Sequence, residues 1–328
     1  MMITMSTDRH CASCLKSVPA TQAKVCSKCK LRCYCSQTCQ RKDWKGGHQH
    51  RHWCGTTCGE EDVDWEIRPV EGKGMGVVAL REFQAKERIM VEAPCGMDHD
   101  GIQTLMPHHG SIEDKVALNS LGCGHNLTTN GHTICLRMAR CNHDCNPNAS
   151  HFYDHATGMK ILFAERVINA GEEISIAYAK VWNPDNPLSP QQTRSLLQIK
   201  WNITCPDDCC CRDEAWCRGR RELMDMDRDV LQLGSMGECR KAFYKAKRML
   251  QAYETTPGFS WLDKERAMYD CFQMGIAQRS TLKAAIPFIH KVYNLAVELF
   301  TADSASALKY RRLLEDPKSH RNYLLIGA

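Results

Sequence analysis

The sequence has no apolar run that approaches the roughly 20 residues needed by a membrane-spanning helix. Its first ten residues also lack the apolar stretch of a secretory signal peptide. We therefore expect a protein of the nucleus or cytoplasm with no membrane partner. The net charge of +5 is too small to indicate nucleic-acid binding by itself. With 25% charged and 43% apolar residues among 328, the composition is typical of a globular protein with about two domains or a little more.

Cysteine, in contrast, is abundant, and in a reducing compartment 21 cysteines favour metal binding over disulfides. Residues 11–54 spell C-x2-C, x11, C-x2-C, x5, C-x3-C and then H-x3-C. A segment this short, with little apolar content, cannot bury a core of its own. Thiolate and imidazole ligands at these spacings select zinc, whose binding would supply the missing folding free energy.

Alternate pairing of these ligands is the natural assignment for two zinc ions. Cys35 and Cys39 are one helical turn apart, which puts both thiolates on one face. His48 and His52 compete with the histidine of the H-x3-C pair, and Cys33 and Cys58 fall outside the spacing. The predicted ligands are Cys11, Cys14, Cys35 and Cys39 for the first ion, and Cys26, Cys29, His50 and Cys54 for the second.

The end of this segment, Y-C-S-Q-T-C-Q-R-K-D-W followed by H-x3-C, resembles the signature of a MYND zinc finger. The histidine here lies farther from Trp44 than the family usually places it. The resemblance implies a peptide-binding module, often for proline-rich segments. Residues 1–58 also carry ten Lys and Arg against two Asp, which leaves about +5 once the metal-bound thiolates are counted. This charge fits either solvated loops or a weak preference for an acidic partner or nucleic acid.

From Ile67 onward the pattern changes to short β-prone runs separated by turn residues, at 72–79, 88–92, 161–164 and 174–178. No regular βαβ repeat is visible, and the glycine cluster is not G-x-G-x-x-G, so a dinucleotide-binding sheet is not expected. The sequence predicts a β-rich central domain.

Three motifs follow one another in this domain: G-K-G-M-G at 72–76, N-H-D-C-N-P-N at 142–148, and G-E-E-I at 171–174 with Tyr178 beyond it. The ordered trio resembles the SET methyltransferase domain over about residues 67–217. With the finger, the chain resembles the SET and MYND domain-containing protein-lysine methyltransferases. It resembles a variant whose MYND finger is N-terminal to an uninterrupted SET domain, whereas the animal family inserts the finger inside that domain.

The resemblance implies a pocket for S-adenosyl-L-methionine and a catalytic tyrosine, Tyr178. Positioning a neutral lysine amine in line with the methyl–sulfur bond would supply most of the rate, and burial in a narrow channel would lower the pKa of the lysine ammonium. Glycine suits such a pocket because its backbone can approach a ligand closely. The implied cofactor-binding residues are Lys73, Gly74, Met75, Asn119, Asn142 and His143.

The resemblance also implies a third zinc site, in which three cysteines of a post-SET segment share an ion with the cysteine of N-H-x-C. The cysteine run here departs from the usual C-x-C-x2-C spacing. In an extended chain residues i and i+2 share a face, which selects among the adjacent cysteines. Relatives often have an aromatic residue where this chain has Ile203, and Trp201 is the candidate substitute. The predicted ligands are Cys145, Cys205, Cys209 and Cys211, with Cys210 and Cys217 as alternates.

The remaining residues have apolar positions at three- and four-residue spacing over 241–253, 262–278 and 282–300, which predicts helices. Helical pairs here would match the repeat-like C-terminal region of SET and MYND proteins. The fold class predicted is mixed α+β. Its expected domains are a MYND finger at 8–58, a SET domain at 62–180, a post-SET zinc segment at 181–217 and a helical region at 218–328.

The function predicted is S-adenosylmethionine-dependent N-methylation of a lysine in a histone or non-histone protein, with about three zinc ions per chain. A protein or peptide substrate is the main partner expected. The alternative is a non-catalytic adaptor that binds peptides through the MYND finger and carries a degenerate SET domain. The presence of Asn142, His143 and Tyr178 favours the enzyme, and Ile203 with the altered cysteine run favours the adaptor.

Overall fold

The chain forms two compact units, one of residues 1–142 and 151–174 and the other of residues 143–150 and 175–328. Among the described residues, no helix is both long and apolar enough to cross a lipid bilayer. The computed structural model of the protein describes residues 9–14, 16–19, 21–30, 32–45, 50–52, 54, 61, 63–94, 105, 111–122, 132–154, 159–182, 187–300 and 304–325.

The first unit begins with the cysteine-rich segment, which forms two short antiparallel hairpins and one helix. Its elements are β1 (Arg9–His10), β2 (Ser17–Val18), β3 (Lys24–Val25), β4 (Cys33–Tyr34), α1 (Gln37–Lys45) and a 3-10 helix at His50–His52. β1 pairs with β2, and β3 pairs with β4. Helix α1 begins after Ser36 because the Ser36 hydroxyl accepts a hydrogen bond from the Cys39 N–H at 3.1 Å, satisfying a donor at the helix start.

Short strands make up most of the rest of this unit. They and the intervening helices are β5 (Trp65–Val70), β6 (Gly74–Ala79), β7 (Arg88–Glu92), α2 (Ile112–Asn119), β8 (Leu121–Gly122), β9 (His132–Thr133), a 3-10 helix at Met138–Arg140, β10 (Asn142–His143), β11 (Ala149–Asp154), β12 (Met159–Ala164) and β13 (Glu173–Ile176). Two of these strands end in residues of the second unit, His143 of β10 and residues 175–176 of β13. β5 and β6 form a hairpin whose turn contains Gly72 at φ 71°, a conformation that favours glycine. Glu173 of β13 pairs with Val78 on the other edge of β6. β7 and β12 pair antiparallel and are buried along their whole length, so they form a core of the unit.

A buried carboxylate connects β7 to the turn that precedes the N-H-x-C motif. Glu92 accepts hydrogen bonds from the backbone N–H groups of Arg137 and Met138, each at 3.0 Å. Burial raises the pKa of the Glu92 carboxyl, although these two donors oppose the shift. Both donors lie at the start of the 3-10 helix Met138–Arg140, and the contact therefore fixes the chain just ahead of Asn142.

The second unit is mainly helical. Its elements are α3 (Pro190–Trp201), a 3-10 helix at Cys210–Arg212, α4 (Glu214–Ser235), α5 (Cys239–Thr255), α6 (Trp261–Gly275), α7 (Arg279–Leu299), α8 (Ala305–Glu315) and a 3-10 helix at Pro317–Ser319. Helices α4 to α8 pack one against the next in chain order. The three helices predicted from apolar spacing correspond to α5, α6 and α7, and α4 begins at Glu214, inside the segment assigned to the post-SET zinc site. The predicted mixed α+β fold class is confirmed.

Candidate metal centres and active site

The first four-cysteine group lies in the finger and joins the hairpin loops to helix α1. The Sγ atoms of its members are within 4.8 Å of one another. Cys35 Sγ is 3.6 Å from Cys14 Sγ and 3.5 Å from Cys39 Sγ, across one turn at the start of α1. Zinc–sulfur bonds of about 2.3 Å in a tetrahedron require sulfur separations in this range, so the donor set fits a structural zinc ion. The members of this group are Cys11, Cys14, Cys35 and Cys39.

The second group contains three cysteines and a histidine, again with ligand atoms within 4.8 Å of one another. His50 is fully buried, and its Nε2 lies 3.4 Å from Cys29 Sγ. Burial, with a smaller contribution from the Arg32 charge, lowers the pKa of His50 to about 4. A neutral imidazole is the form that binds zinc. The members are Cys26, Cys29, His50 and Cys54.

Of the alternatives that the sequence leaves open for these two groups, His48, Cys58 and the side chain of His52 lie outside the described part of the chain. Within the part of the chain that the structure describes, neither group includes Cys33, which is buried in β4. The structure thus brings together the same two sets of four side chains that were assigned to two zinc ions from their spacing in the sequence.

The third group joins Cys145 of the N-H-x-C motif to the cysteine run that follows α3. The Sγ atoms of Cys145 and Cys205 are 3.8 Å apart, and all four ligand atoms lie within 4.8 Å of one another. Among the described residues this group does not include Cys210 or Cys217, and Cys217 Sγ instead lies 3.5 Å from a backbone oxygen, that of Cys211. The members are Cys145, Cys205, Cys209 and Cys211.

The cysteine run is not extended, so the expectation that Cys209 and Cys211 share a strand face is wrong. Residues 210–212 form a 3-10 helix, and the Arg212 N–H donates to the Cys209 carbonyl at 2.8 Å. A tight turn, rather than the alternation of a strand, therefore brings these two thiols to the same group. Adjacent Cys210 packs against the same cluster but is not a member of the ligand group among the described residues.

His143 connects this third group to Tyr178. The backbone N–H of Tyr178 donates to His143 Nδ1 at 3.0 Å, and His143 Nε2 lies 3.3 Å from Cys145 Sγ. Because Nδ1 accepts a hydrogen bond, the neutral ring carries its proton on Nε2 and directs it at the Cys145 sulfur. The side chain of His143 therefore supports the backbone of Tyr178, and sequence reasoning missed this role.

Tyr178 lies in an aromatic environment. Its ring centroid is 5.5 Å from that of His143 and 5.3 Å from that of Trp201, with both pairs tilted by 50°. Such spacings are typical of favourable aromatic contacts. Tyr178, Trp201 and Ile203 are all partly buried against one cluster, which includes Cys145 and Leu197. Trp201 thus supplies an aromatic neighbour for Tyr178, and its role as a substitute for the aromatic residue that relatives have at the position of Ile203 stays a prediction.

Within the first unit, three of the predicted cofactor residues gather around Glu173. Asn142 Nδ2 donates to Glu173 Oε1 at 2.8 Å and is 3.4 Å from the Met75 carbonyl. Lys73 Nζ donates to the other carboxylate oxygen at 2.7 Å. Glu173 lies in the G-E-E-I motif but was not predicted as a site residue, because its partners are 31 and 100 residues away in sequence.

The remaining predicted residues have distinct settings. Gly74 has φ +77°, and a Cβ built there meets no atom within 4 Å, so the backbone is open for close approach by a ligand. Asn119 ends helix α2, and its side-chain amide donates to the Lys115 carbonyl at 2.8 Å. That contact is local to the helix, and the cofactor role of Asn119 stays a prediction. The predicted residues before His143 belong to the first unit, and His143 and Tyr178 belong to the second.

Gly76 offers a test of this arrangement. A Cβ at residue 76 would lie 2.6 Å from Val70 Cγ2, 2.8 Å from Asn142 Nδ2 and 2.9 Å from Glu173 Oε1. We expect Gly76→Ala to lower the free energy of unfolding by about 1–3 kcal/mol in urea titrations, because the strand and both polar side chains must move. It should also shift the side-chain amide NMR resonances of Asn142.

Gly74→Ala is the matched control in the same strand. Its methyl group has space, so the cost should be confined to about 1–2 kcal/mol for the left-handed backbone. The Asn142 amide resonances should stay in place in this variant. Equal shifts in the two variants would contradict the packing of Asn142 and Glu173 against Gly76.

Comparison with known proteins gives two family matches: the MYND finger model at residues 11–54 and the SET domain model at residues 74–179. Among curated proteins, the chain is similar to SET domain-containing protein 14 of Caenorhabditis elegans, with 26% identity over 65% of this chain and 54% of that protein. It is also similar to histone-lysine N-methyltransferase set5 of Schizosaccharomyces pombe, with 25% identity over 78% of this chain and 85% of that protein. A third relative, SET domain and MYND-type zinc finger protein 6 of the same yeast, is 25% identical over 60% of this chain and 43% of its own length. The chain thus spans about half the length of the first and third of these relatives.

Proposed function

Because the chain carries a MYND zinc finger N-terminal to a SET domain, we propose that it transfers a methyl group from S-adenosylmethionine to a lysine side chain of a protein substrate. The SET match and the relative named as a histone-lysine N-methyltransferase support lysine methylation at the level of the family. The cofactor, the substrate protein and the activity itself belong to the proposal. A proline-rich peptide or nucleic acid as a partner of the finger is also part of the proposal, and so is a location in the nucleus or cytoplasm.

The observation that carries the proposal is the setting of Tyr178 inside the matched SET region. Its backbone is held by His143, and its ring lies beside Trp201. The contact with Trp201 lies outside the three motifs that first singled out Tyr178, and the contact with His143 joins two of those motifs in space. Tyr178 follows β13, which ends at Ile176, so it does not serve to fill a strand.

The cofactor, when bound, supplies a methyl group already activated by its sulfonium. The residues proposed to hold it fit this task, because the open backbone at Gly74 and the amide of Asn142 offer a cradle and a polar anchor. Tyr178 would then orient the lysine amine through its hydroxyl, so positioning contributes most of the rate. The aromatic ring of Trp201 would exclude water from the amine and lower the pKa of its ammonium by desolvation.

Zinc is the second part of the proposal. Three groups of four Cys or His ligands, each with donor atoms within 4.8 Å, fit three structural zinc ions. Metal analysis of the purified chain should find about three zinc ions. A count near two would leave one of the three groups without metal.

The enzymatic proposal is tested by Tyr178→Phe. We expect methyl transfer from labelled S-adenosylmethionine onto a proteome extract to fall by about 100-fold or more, because the hydroxyl that orients the amine is lost. The affinity for the cofactor, measured by calorimetry, should stay close to that of the unchanged chain, since the phenylalanine keeps the ring.

The control is Tyr244→Phe, which removes the hydroxyl of an exposed tyrosine on α5. Its methyl transfer should equal that of the unchanged chain. If the zinc-loaded chain fails to bind S-adenosylmethionine, the enzyme proposal is rejected in favour of the adaptor that binds peptides through its finger.

A further inference from the structure

Three residues of the finger that are not metal ligands surround the imidazole of His50. The Tyr34 hydroxyl lies 2.8 Å from His50 Nδ1 and donates a hydrogen bond to Asp43 Oδ2 at 2.7 Å. The ring of Trp44 meets the imidazole edge-on, with centroids 5.4 Å apart at 86°. All three residues are part of the Y-C-S-Q-T-C-Q-R-K-D-W segment, in which only the two cysteines have a role as ligands.

The protons of this chain of contacts can be counted. A tyrosine hydroxyl has one proton, and here Asp43 receives it. The Tyr34 oxygen can therefore only accept from His50, so Nδ1 carries the imidazole proton. A neutral imidazole protonated on Nδ1 has its lone pair on Nε2, the atom that lies 3.4 Å from Cys29 Sγ. The hydrogen bonds thus select the tautomer that presents Nε2 to the second metal group.

A second residue holds Asp43 in place. Arg32 donates to Asp43 through NH2 at 3.0 Å and through Nε at 3.3 Å, which is the paired geometry favoured between guanidinium and carboxylate groups. Asp43 is 1% exposed and Arg32 6% exposed, so solvent has little access to compete for these hydrogen bonds. The carboxylate that receives the Tyr34 proton is consequently fixed in orientation.

We propose that Asp43 and Tyr34 form a hydrogen-bonded relay that fixes the tautomer and orientation of His50 and thereby tightens zinc binding at the second metal group. The inference rests on the proposed occupancy of that group by zinc. Outer hydrogen-bond partners of a metal-binding histidine commonly affect metal affinity 10- to 100-fold. Tyr34 and Asp43 are positioning residues, because neither reaches the metal.

The relay also connects the two zinc sites of the finger. Helix α1 carries Cys39, a ligand of the first group, near its beginning and Asp43 one turn later. The first zinc ion would anchor the helix, and the anchored helix would place Asp43 against Tyr34. Zinc at the first site is therefore expected to tighten zinc binding at the second.

The test uses the full-length zinc-loaded chain with Tyr34→Phe, which keeps the ring and removes only the hydroxyl. Zinc release into an excess of a colorimetric chelator is followed over time. We expect one of the three zinc ions to leave about 10- to 100-fold faster, and the other two to leave at unchanged rates. Asp43→Asn should accelerate the same ion, because the uncharged amide is a weaker acceptor for the Tyr34 proton.

A second readout separates a relay from simple packing. In chain labelled with 15N-histidine, one imidazole should show a protected Nδ1–H in the unchanged protein and lose that protection in Tyr34→Phe. Tyr253→Phe, which alters a buried tyrosine packed against Phe259 in the second unit, should change neither readout.

The outcomes are distinct. Unchanged release in Tyr34→Phe, or equal acceleration of all three ions, would overturn the relay, the latter because it indicates general loss of structure. An unprotected Nδ1–H in the unchanged zinc-loaded chain would overturn it as well. An unchanged chain that holds fewer than two zinc ions in its finger would reject the zinc proposal itself, and the relay with it.

Discussion

Chelation of zinc from the intact chain is expected to unfold the finger while the helices of the second unit stay folded. Among the described residues of the finger, the fully buried apolar cluster contains two side chains other than cysteine, Val18 and Tyr34, with Ala12, Ala23 and Trp44 partly buried against it. Little apolar area is thus available to offset the loss of conformational entropy on folding. Structural zinc supplies about 10–16 kcal/mol per site in isolated zinc-finger peptides, far more than such a cluster can replace.

The second unit has a different source of stability. Leu223, Met249, Tyr253, Phe259 and Ala267 form a buried apolar cluster among its helices. This packing does not depend on a metal ion. Its far-ultraviolet circular dichroism should therefore persist after chelation, apart from changes in the segment that carries the third cysteine group.

Limited proteolysis measures the expected difference. In the chelated chain, cleavage should become rapid at the lysine and arginine residues before residue 46 and stay slow within α4 to α8. Cys11→Ser should produce the same finger-specific cleavage without chelator, whereas Cys210→Ser, outside the three ligand groups, should not. A chelated finger that resists protease would show that its fold does not depend on zinc.

The third group gives chelation a further consequence for Tyr178. Cys145 accepts from His143, and His143 accepts from the backbone of Tyr178. Loss of the metal would release Cys145 and remove one support of this chain of contacts. The proposed methyl transfer is thus expected to fall on chelation, because the third zinc ion would support the backbone of Tyr178 through Cys145 and His143.

How much the sequence could predict depended on the distance between interacting residues. The ligands of the finger lie within 44 residues, at short spacings that limit which side chains can meet. Pairing them alternately along the sequence therefore gave the same two groups that the structure brings together. The third group needed the family resemblance, since Cys145 and Cys205 are 60 residues apart. The contact between Lys73 and Glu173 had no local signal at all, because it depends on the pairing of β13 with β6.

The sequence indicates the burial of Arg220 but not the groups that compensate its charge. In α4, Arg220 precedes Leu223, Met224 and Val230 at helical spacing, so the pattern puts it on the buried face. An arginine on such a face is normally assigned to solvent, because a buried charge is costly without partners. The partners here are backbone carbonyls, which no sequence pattern reveals.

Arg220 is expected to give the largest effect of any single substitution in the second unit outside the metal ligands. Its side chain is 1% exposed, and it donates through Nε to the Val181 carbonyl at 2.7 Å and through NH1 to the Gly258 carbonyl at 2.6 Å. The guanidinium also lies over the rings of Trp216 and Phe259, at 4.9 and 4.1 Å. One side chain thus connects α4 to the segment after Tyr178 and to the loop between α5 and α6.

Arg220→Ala should lower the free energy of unfolding of the second unit by about 3–5 kcal/mol. The buried Val181 carbonyl and the partly buried Gly258 carbonyl would lose their donor, at about 1–3 kcal/mol each, and two cation–π contacts of about 0.5–2 kcal/mol would be lost. Urea titration monitored by tryptophan fluorescence measures the change, because Trp216 is in direct contact. Arg220→Lys should recover only part of the loss, since an ammonium lacks the planar fork that reaches both carbonyls.

The control is Arg221→Ala, at the neighbouring residue, which distinguishes the loss of the Arg220 hydrogen bonds from a general effect of removing a positive charge. Arg221 is exposed and lies 5.4 Å from the Trp182 ring, so its removal should cost no more than about 1 kcal/mol. Because Val181 is three residues after Tyr178, Arg220→Ala should also reduce methyl transfer at temperatures where the variant is folded. Equal stability of the Arg220 and Arg221 variants would show that the two carbonyl groups find other donors, and that Arg220 does not hold the segment that carries Tyr178.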